Sequence, residues 1–109
     1  MDLLKGTLDV LILKTVSWGP LHGYAISKSI RGHTKDEFTV EEGALYPALR
    51  RLEKKKLVRA EWGTTDTGRE AKFYTLTDAG AKHLASEITR WSRYVAAMAR
   101  VLDARAPLL

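Results

Sequence analysis

A tyrosine and several cations in the middle of the chain have the spacing of a surface that contacts nucleic acid. Tyr46, Arg50 and Lys54 follow one another at intervals of four residues, so in a helix they would share one side. A guanidinium can bind both acceptors of guanine, which makes Arg50 the candidate for reading bases, and the other cations suit phosphates. The alternative is a charged helix face that meets only water, the usual meaning of such a run. The predicted contacts of this segment are Tyr46, Arg50, Arg51, Lys54 and Lys55.

The same segment has a second face that must pack against other parts of the protein. Its apolar residues fall at the positions i, i+3, i+4 and i+7 of a helix and form one stripe. A helix with one packed side and one basic side suits an element that is held by a core and presented to DNA. The stripe consists of Leu45, Ala48, Leu49 and Leu52.

Two strands are predicted directly after this helix. Residues 58–62 alternate apolar and charged side chains, and residues 71–76 are rich in types that suit a pleated sheet. The residues between them, 63–70, have the composition of an exposed hairpin tip. Arg69 and Lys72 lie near that tip and are predicted to contact the DNA backbone or the minor groove. The alternative is a hairpin whose charges only keep the protein in solution.

Two helices are predicted before this segment. Apolar residues between Leu3 and Val16 form the first, and Trp18-Gly19-Pro20 ends it. The second covers about residues 22–30, with Gly32 as its terminator.

The start of the third helix carries two signals. Residues 39–42 fit a capping box. Pro47 lacks an N–H donor and is tolerated only near a helix start, so the regular helix is expected to begin nearer Gly43. Three helices, a hairpin and a last helix follow in order. This predicts a mainly α fold with a two-stranded β-wing, which is a winged helix-turn-helix domain with a long C-terminal helix.

The predicted last helix begins with Thr77 as its N-cap. Its apolar residues recur at spacings of four and three, which is the pattern of a heptad seam. The seam could pack against its own domain, or it could pair two subunits. Pairing also explains why the first helix is apolar on more than one side, because a second subunit would cover the extra side. We expect a DNA-binding domain over residues 1–77 and a dimerisation helix over residues 78–106. The predicted dimer contacts are Leu4, Leu8, Leu11, Leu84, Ile88, Trp91, Val95, Met98 and Leu102.

Three groups of residues resemble the PadR family of bacterial transcriptional regulators, in its short subtype with a single C-terminal helix. They are residues 22–26 (His-Gly-Tyr-Ala-Ile), residues 43–58 (starting Gly-Ala-Leu-Tyr-Pro) and residues 72–80 (Lys-Phe-Tyr, then Leu-Thr and a glycine). The resemblance implies a homodimer that binds operator DNA and usually represses. It also implies that the last helix pairs largely with the first helix of the other subunit. The family often has glycine where this chain has Lys56, so the third helix is expected to end in a less favourable or a different conformation.

Trp91 has two interpretations. In some relatives that sense drugs, a tryptophan followed by Ser-Arg lines a flat pocket at the dimer centre, and this chain has Trp91-Ser92-Arg93. Two facing indoles could hold a small planar aromatic effector. The other interpretation, which we favour, is packing in the seam, because an aromatic residue at heptad spacing usually packs.

The composition agrees with a DNA-binding protein and argues against other classes. The 109 residues allow one modest core, and a net charge of +5 favours a polyanionic partner. There is no cysteine, and the three histidines have no metal-ligand spacing, so we expect no enzymatic activity, metal or cofactor. The N-terminal apolar run is too short to span a bilayer, and a cytoplasmic protein of the bacterial nucleoid is expected. The alternative function is a winged-helix module that binds a ligand or a protein without reading DNA.

Overall fold

The computed structural model describes residues 1, 3–4 and 6–108. Within that range the chain forms four helices and three strands, so the predicted mainly α fold with a β-wing is confirmed. In chain order they are α1 (Thr7–Val16), β1 (Leu21–His22), α2 (Gly23–His33), α3 (Glu42–Lys54), β2 (Val58–Thr64), β3 (Glu70–Leu76) and α4 (Asp78–Leu102).

A single apolar cluster joins the helices to the base of the sheet. The predicted stripe of α3 is confirmed, since each of its members is 2% exposed or less. Burial of four such side chains is what holds α3 in place, because each large aliphatic side chain contributes about 1.5–3 kcal/mol when it leaves water. The cluster consists of Ile12, Leu13, Val16, Ile26, Ile30, Leu45, Ala48, Leu49, Leu52, Val58, Tyr74 and Leu84.

The sheet has three strands where two were predicted. Its order is β1-β3-β2, and β1 pairs with β3 through Leu21 opposite Tyr74 and His22 opposite Phe73. His22 was predicted to start the second helix; it lies instead in β1 and directly precedes α2. A strand of two residues has no alternation for a sequence pattern to show, so it could only be found from its partner.

Of two other predicted helix boundaries, the end of α2 is wrong, and the start of α3 is confirmed without its predicted cap. Gly32 lies inside α2, and the left-handed residues of the following turn are Lys35 and Asp36. The turn is closed by Thr34, whose hydroxyl donates to the carbonyl of Ile30 at 2.9 Å and accepts the N–H of Phe38 at 3.1 Å. The left-handed conformation expected of a glycine is therefore adopted by Lys35 and Asp36, and the Thr34 hydroxyl bonds both sides of the turn. At the other boundary, α3 starts at Glu42, next to Gly43 as predicted, but its N-cap residue is Glu41 and carries no side-chain cap.

The first helix is shorter than predicted. It starts at Thr7, after a left-handed Gly6 with φ 84°, so Leu3 and Leu4 precede it. Leu4 is 68% exposed, whereas Leu8 and Leu11 pack at the edge of the core.

Lys56 ends α3 in the left-handed conformation, with φ 61°. Its N–H donates to the carbonyl of Glu53 at 2.9 Å, and the N–H of Leu57 donates to the carbonyl of Leu52 at 3.0 Å. This is the Schellman pattern of a helix C-terminus, which favours glycine at the position of Lys56. Of the two conformations expected from the sequence, the chain adopts the less favourable one.

Thr77 caps α4 as predicted and also binds the end of α3. Its Oγ1 accepts the N–H of Gly80 at 3.0 Å and donates to the carbonyl of Lys56 at 2.7 Å. Its N–H donates to the carbonyl of Leu57 at 3.1 Å. A Cβ at Gly80 would overlap that same carbonyl oxygen, so α4 starts in direct backbone contact with the junction of α3 and β2.

Replacing Lys56 by glycine tests how much the left-handed conformation of this lysine lowers the free energy of unfolding. We expect Lys56→Gly to raise the free energy of unfolding by about 0.5–1 kcal/mol, because glycine adopts positive φ without a steric penalty. Lys55→Gly is the matched control: Lys55 has φ −79°, so the same change should lower stability. Urea unfolding with a constant m-value measures both. Loss of stability in both variants would contradict the left-handed conformation assigned to Lys56.

Candidate nucleic-acid interface

The outer face of α3 is basic and open to solvent. Arg50, Lys54 and Lys55 are all exposed, and Tyr46 is 38% exposed. Tyr46, Arg50 and Lys54 follow one another at four-residue spacing and lie away from the buried stripe, so the core fixes the direction in which these side chains point. The structure therefore keeps these three predicted contacts on one accessible surface, and Lys55 is exposed at the C-cap of the helix.

The ring of Tyr46 lies on the backbone of Gly23, at the start of α2. A Cβ at Gly23 would stand 2.8 Å from the Tyr46 hydroxyl oxygen, closer than real side chains approach. Gly23 is therefore required for the position of this ring, which connects two separate motifs, His-Gly-Tyr and Leu-Tyr-Pro. The sequence displays both motifs, but nothing in it shows that they meet.

Arg51 points away from its neighbour Arg50. Its Nη2 donates to Oδ1 of Asp9, on α1, at 2.9 Å. The side chains of Arg51 and Asp9 are 53% and 28% exposed, so this ion pair lies at the surface between α1 and α3. Unlike the other predicted contacts of α3, the guanidinium of Arg51 is held by another helix.

The wing is formed by β2, β3 and a tight turn. The N–H of Thr65 donates to the carbonyl of Arg69 at 2.8 Å, and the left-handed Gly68 donates to the carbonyl of Thr65 at 2.9 Å. Arg69 stands in this turn and Lys72 on β3, and both are exposed. The wing therefore presents its two predicted cations to solvent, one at the tip and one behind it.

Tyr74 connects the wing to α3. It is 5% exposed, so its predicted place in the core is confirmed. Burial raises the pKa of its phenol above the ordinary value, and nearby Glu53 and Tyr46 raise it further, while Arg50 lowers it. The phenol is therefore neutral at physiological pH, and the ring packs in the same apolar cluster as Leu45 and Leu49 of α3.

The seam of α4 is divided between buried and exposed residues. Leu84 is 6% exposed and belongs to the core of its own chain. Little of its surface is therefore available for contact with another subunit. The exposed part of the seam begins at Ile88, and every residue from Ser92 to Leu108 is exposed. Its exposed apolar members are Ile88 at 42%, Val95 at 60%, Met98 at 45% and Leu102 at 73%.

Trp91 stands where the covered part of α4 ends. Its ring meets Tyr94 edge-on with 5.8 Å between centroids, and the guanidinium of Arg90 lies 5.5 Å from the ring centre. Its Nε1 is buried and finds no acceptor among the residues that the structure describes. Both Trp91 interpretations, packing and an effector pocket, stay predictions.

A winged helix-turn-helix with a basic reading helix defines a class of DNA-binding transcriptional regulators. The model of the PadR-like family of transcriptional regulators matches residues 12–86, and the chain belongs to that family.

An uncharacterized protein of Lysinibacillus sphaericus is 33% identical over 91 residues, which are 84% of each chain. An uncharacterized 37.1 kDa protein in a transposon of Streptomyces fradiae is 40% identical over 88 residues, 78% of this chain but 23% of that protein. The crystal structure of a PadR-like transcriptional regulator from Bacillus cereus has a TM-score of 0.80 and 29% identity, covering 94% of this chain and 97% of that chain.

Family membership supports the broad functional class. PadR-like regulators bind DNA and commonly dimerise, and proteins of this family and fold are generally not enzymes. Over the described part of the chain, no helix combines the length and the apolar character needed to cross a bilayer.

The ion pair between Arg51 and Asp9 can be measured by a double-mutant cycle. We expect Arg51→Ala and Asp9→Asn to be non-additive by about 0.2–1 kcal/mol in the free energy of unfolding, the range of exposed pairs. Arg50→Ala with Asp9→Asn is the control and should be additive. Additivity in the Arg51 cycle as well would show that the pair does not form in solution.

Proposed function

We propose that this protein is a homodimeric transcriptional repressor that binds a pseudo-palindromic operator, in the bacterial cytoplasm and at the nucleoid. The observation that carries the proposal is the basic face of α3, held by a fully buried stripe and flanked by a wing. Arg50 and Tyr46 would lie in the major groove, with Lys54 and Lys55 on the adjacent phosphates. Arg69 and Lys72 would bring the wing to the neighbouring backbone.

Dimerisation is supported by the shape and the apolar seam of α4. The radius of gyration is 16.2 Å, whereas a compact domain of this length would have about 13 Å. The excess reflects a 25-residue helix whose second half leaves the domain without cover. An isolated helix that exposes an apolar seam has little stability in water, and a second copy would cover it. The exposed Leu4 and the edge residues Leu8 and Leu11 would add to that contact.

Two-fold symmetry determines the form of the operator. Each subunit would place one α3 in a major groove on the same side of the duplex, so half-sites about 34 Å apart, one helical turn, are expected. Binding of a planar aromatic effector at the two Trp91 side chains would change the distance or angle between the subunits and release the operator. The position of Trp91, directly before the fully exposed part of α4, supports this last step.

The first test concerns Arg50. Arg50→Ala is expected to weaken binding to a duplex selected from a random-sequence library by about 1–3 kcal/mol and to relax the preference at one base pair. Arg93→Ala, which removes the same charge from α4, is the control and should affect selected and unrelated duplexes equally and slightly. Fluorescence anisotropy titrations measure both. Unchanged selectivity in Arg50→Ala would remove Arg50 from base reading.

The same titrations separate the proposal from the alternative of a winged-helix module that does not read DNA. An operator-binding protein keeps a preference for the selected duplex while its affinity falls steeply as salt rises. A module without DNA readout would bind both duplexes weakly and equally.

The second test concerns the seam. Val95→Glu is expected to convert the dimer into a monomer, because each subunit would then bury an unpaired carboxylate in an apolar interface. Val95 is 60% exposed in one chain, so the fold of the subunit should be unaffected. Ala97→Glu, on another side of α4, is the matched control and should stay dimeric. Light scattering at micromolar concentration measures the mass, and a monomeric wild type would refute the proposed dimer.

A further inference from the structure

Trp62 is exposed on the wing without an aromatic neighbour. It is 71% exposed. The other two tryptophans are each part of an aromatic cluster: Trp18 lies 5.3 Å from His33, and Trp91 lies 5.8 Å from Tyr94. Among the described residues, Trp62 takes part in no such pair. One exposed aromatic side chain is ordinary on a protein surface, so its meaning depends on its position.

The strand register determines which face of the wing carries Trp62. Trp62 stands opposite Lys72, and the next pair toward the core is Ala60 opposite Tyr74. Side chains two residues apart on a strand share a face, so Trp62 and Lys72 lie on the face of the buried Tyr74. Tyr74 packs in the same apolar cluster as the buried stripe of α3, so the Trp62–Lys72 pair lies on the α3 side of the wing, about 7 Å further from the core.

The opposite face of the wing is already occupied. Phe73 lies 5.3 Å from His22 of β1, ring centre to ring centre. A Cβ at Gly63 would stand 2.9 Å from the ring of Phe73, so the ring rests on a position that has no side chain. Of the three aromatic residues of the hairpin, Phe73 and Tyr74 are therefore packed within the domain, and Trp62 projects from it.

The charge of the wing indicates what kind of contact it can make. The hairpin from Val58 to Leu76 contains three basic and three acidic residues, so its formal charge is zero although the whole chain carries +5. Long-range attraction to DNA is therefore weak at the wing. A single cation and a large aromatic side chain, in register on the α3 side, suit a short-range contact instead. The acidic residues are Glu61, Asp66 and Glu70, and the basic residues are Arg59, Arg69 and Lys72.

We infer that Trp62 is a DNA-contacting residue whose indole packs against a deoxyribose while Lys72 binds the adjacent phosphate. The inference rests on the proposed function, since it requires α3 to lie in a major groove. Sugar edges line the duplex surface beside the groove, whereas the bases are stacked and reaching between them costs free energy. An indole offers an apolar surface for the sugar and an N–H donor for a phosphate oxygen. The contact strengthens binding without reading sequence.

Trp62→Ala tests the inference by affinity and by salt dependence. We expect it to weaken binding about five- to twentyfold for both a library-selected duplex and an unrelated one. The slope of log K against log salt should not change, because no charge is removed. Lys72→Ala is the matched variant across the strands and should reduce that slope by about one. Trp62→Phe should keep most of the affinity.

Trp18 supplies the control, because it is 59% exposed and lies beside His33, at the end of α2 remote from Tyr46. Trp18→Ala should leave the affinity for both duplexes unchanged. The tryptophan emission of the wild type should change when duplex is added, and the change should persist in Trp18→Phe and disappear in Trp62→Phe. Circular dichroism should show that Trp62→Ala is folded, as its exposure implies.

The outcomes separate the inference from the proposed function. If Trp62→Ala binds both duplexes like the wild type, or loses affinity only for the selected one, Trp62 is not a backbone contact. If it changes the molecular mass in light scattering and not the DNA affinity, Trp62 belongs to a contact between copies of the chain, and the inference is wrong. If the wild type itself shows no preference for the selected duplex, the proposed function fails first.

Discussion

The hydroxyl group of Thr77 joins the three parts of the molecule on which DNA binding would depend. It donates to the carbonyl of Lys56, the left-handed end of α3, and accepts the N–H of Gly80, in the first turn of α4. Thr77 itself directly follows the second strand of the wing. Because Gly80 has no side chain, the start of α4 reaches the carbonyl oxygen of Leu57. Backbone contacts and one hydroxyl thus join the start of α4 to the end of α3, and the buried Leu84 packs α4 further along against the core.

This junction also gives a reason for the strained Lys56. In a dimer built on α4, the angle between α3 and α4 would determine where the two reading helices lie relative to each other. The start of α4 is bonded to the short segment in which α3 ends at Lys54, the chain turns through Lys56 and β2 begins at Val58. The hydrogen bonds from Lys56, Leu57 and Thr77 keep the turn closed, so the left-handed lysine persists at the modest cost that such residues carry.

Local sequence patterns predicted the elements well because their causes are local. The apolar stripe of α3, the N-cap Thr77 and the order of the helices each depend on residues within one or two turns of one another. The predictions were wrong for features that depend on contacts with distant parts of the chain. Strand β1 exists only because β3 lies beside it.

The outer side of α3 also shows that contacts between distant parts of the chain cannot be predicted from local patterns. Arg50 and Arg51 are neighbours in sequence, yet Arg51 is held by Asp9, 42 residues away, and Arg50 is free to face outward. Tyr46 is similarly placed by Gly23, which belongs to another helix. Helical spacing predicts which side chains share a side, but it does not show which of them another element has already engaged.

In DNA binding, α3 would contribute mainly through its charge, and the wing mainly through short-range contact. The excess positive charge of the chain is concentrated near the end of α3 and is absent from the hairpin, taken as a whole. Long-range attraction would therefore orient the protein with α3 toward the duplex, while the wing would contribute only after contact. A neutral wing that contacted DNA through an exposed tryptophan would add binding energy that salt does not screen. Such a protein would retain more of its affinity at physiological ionic strength than one whose wing bound DNA through charge alone.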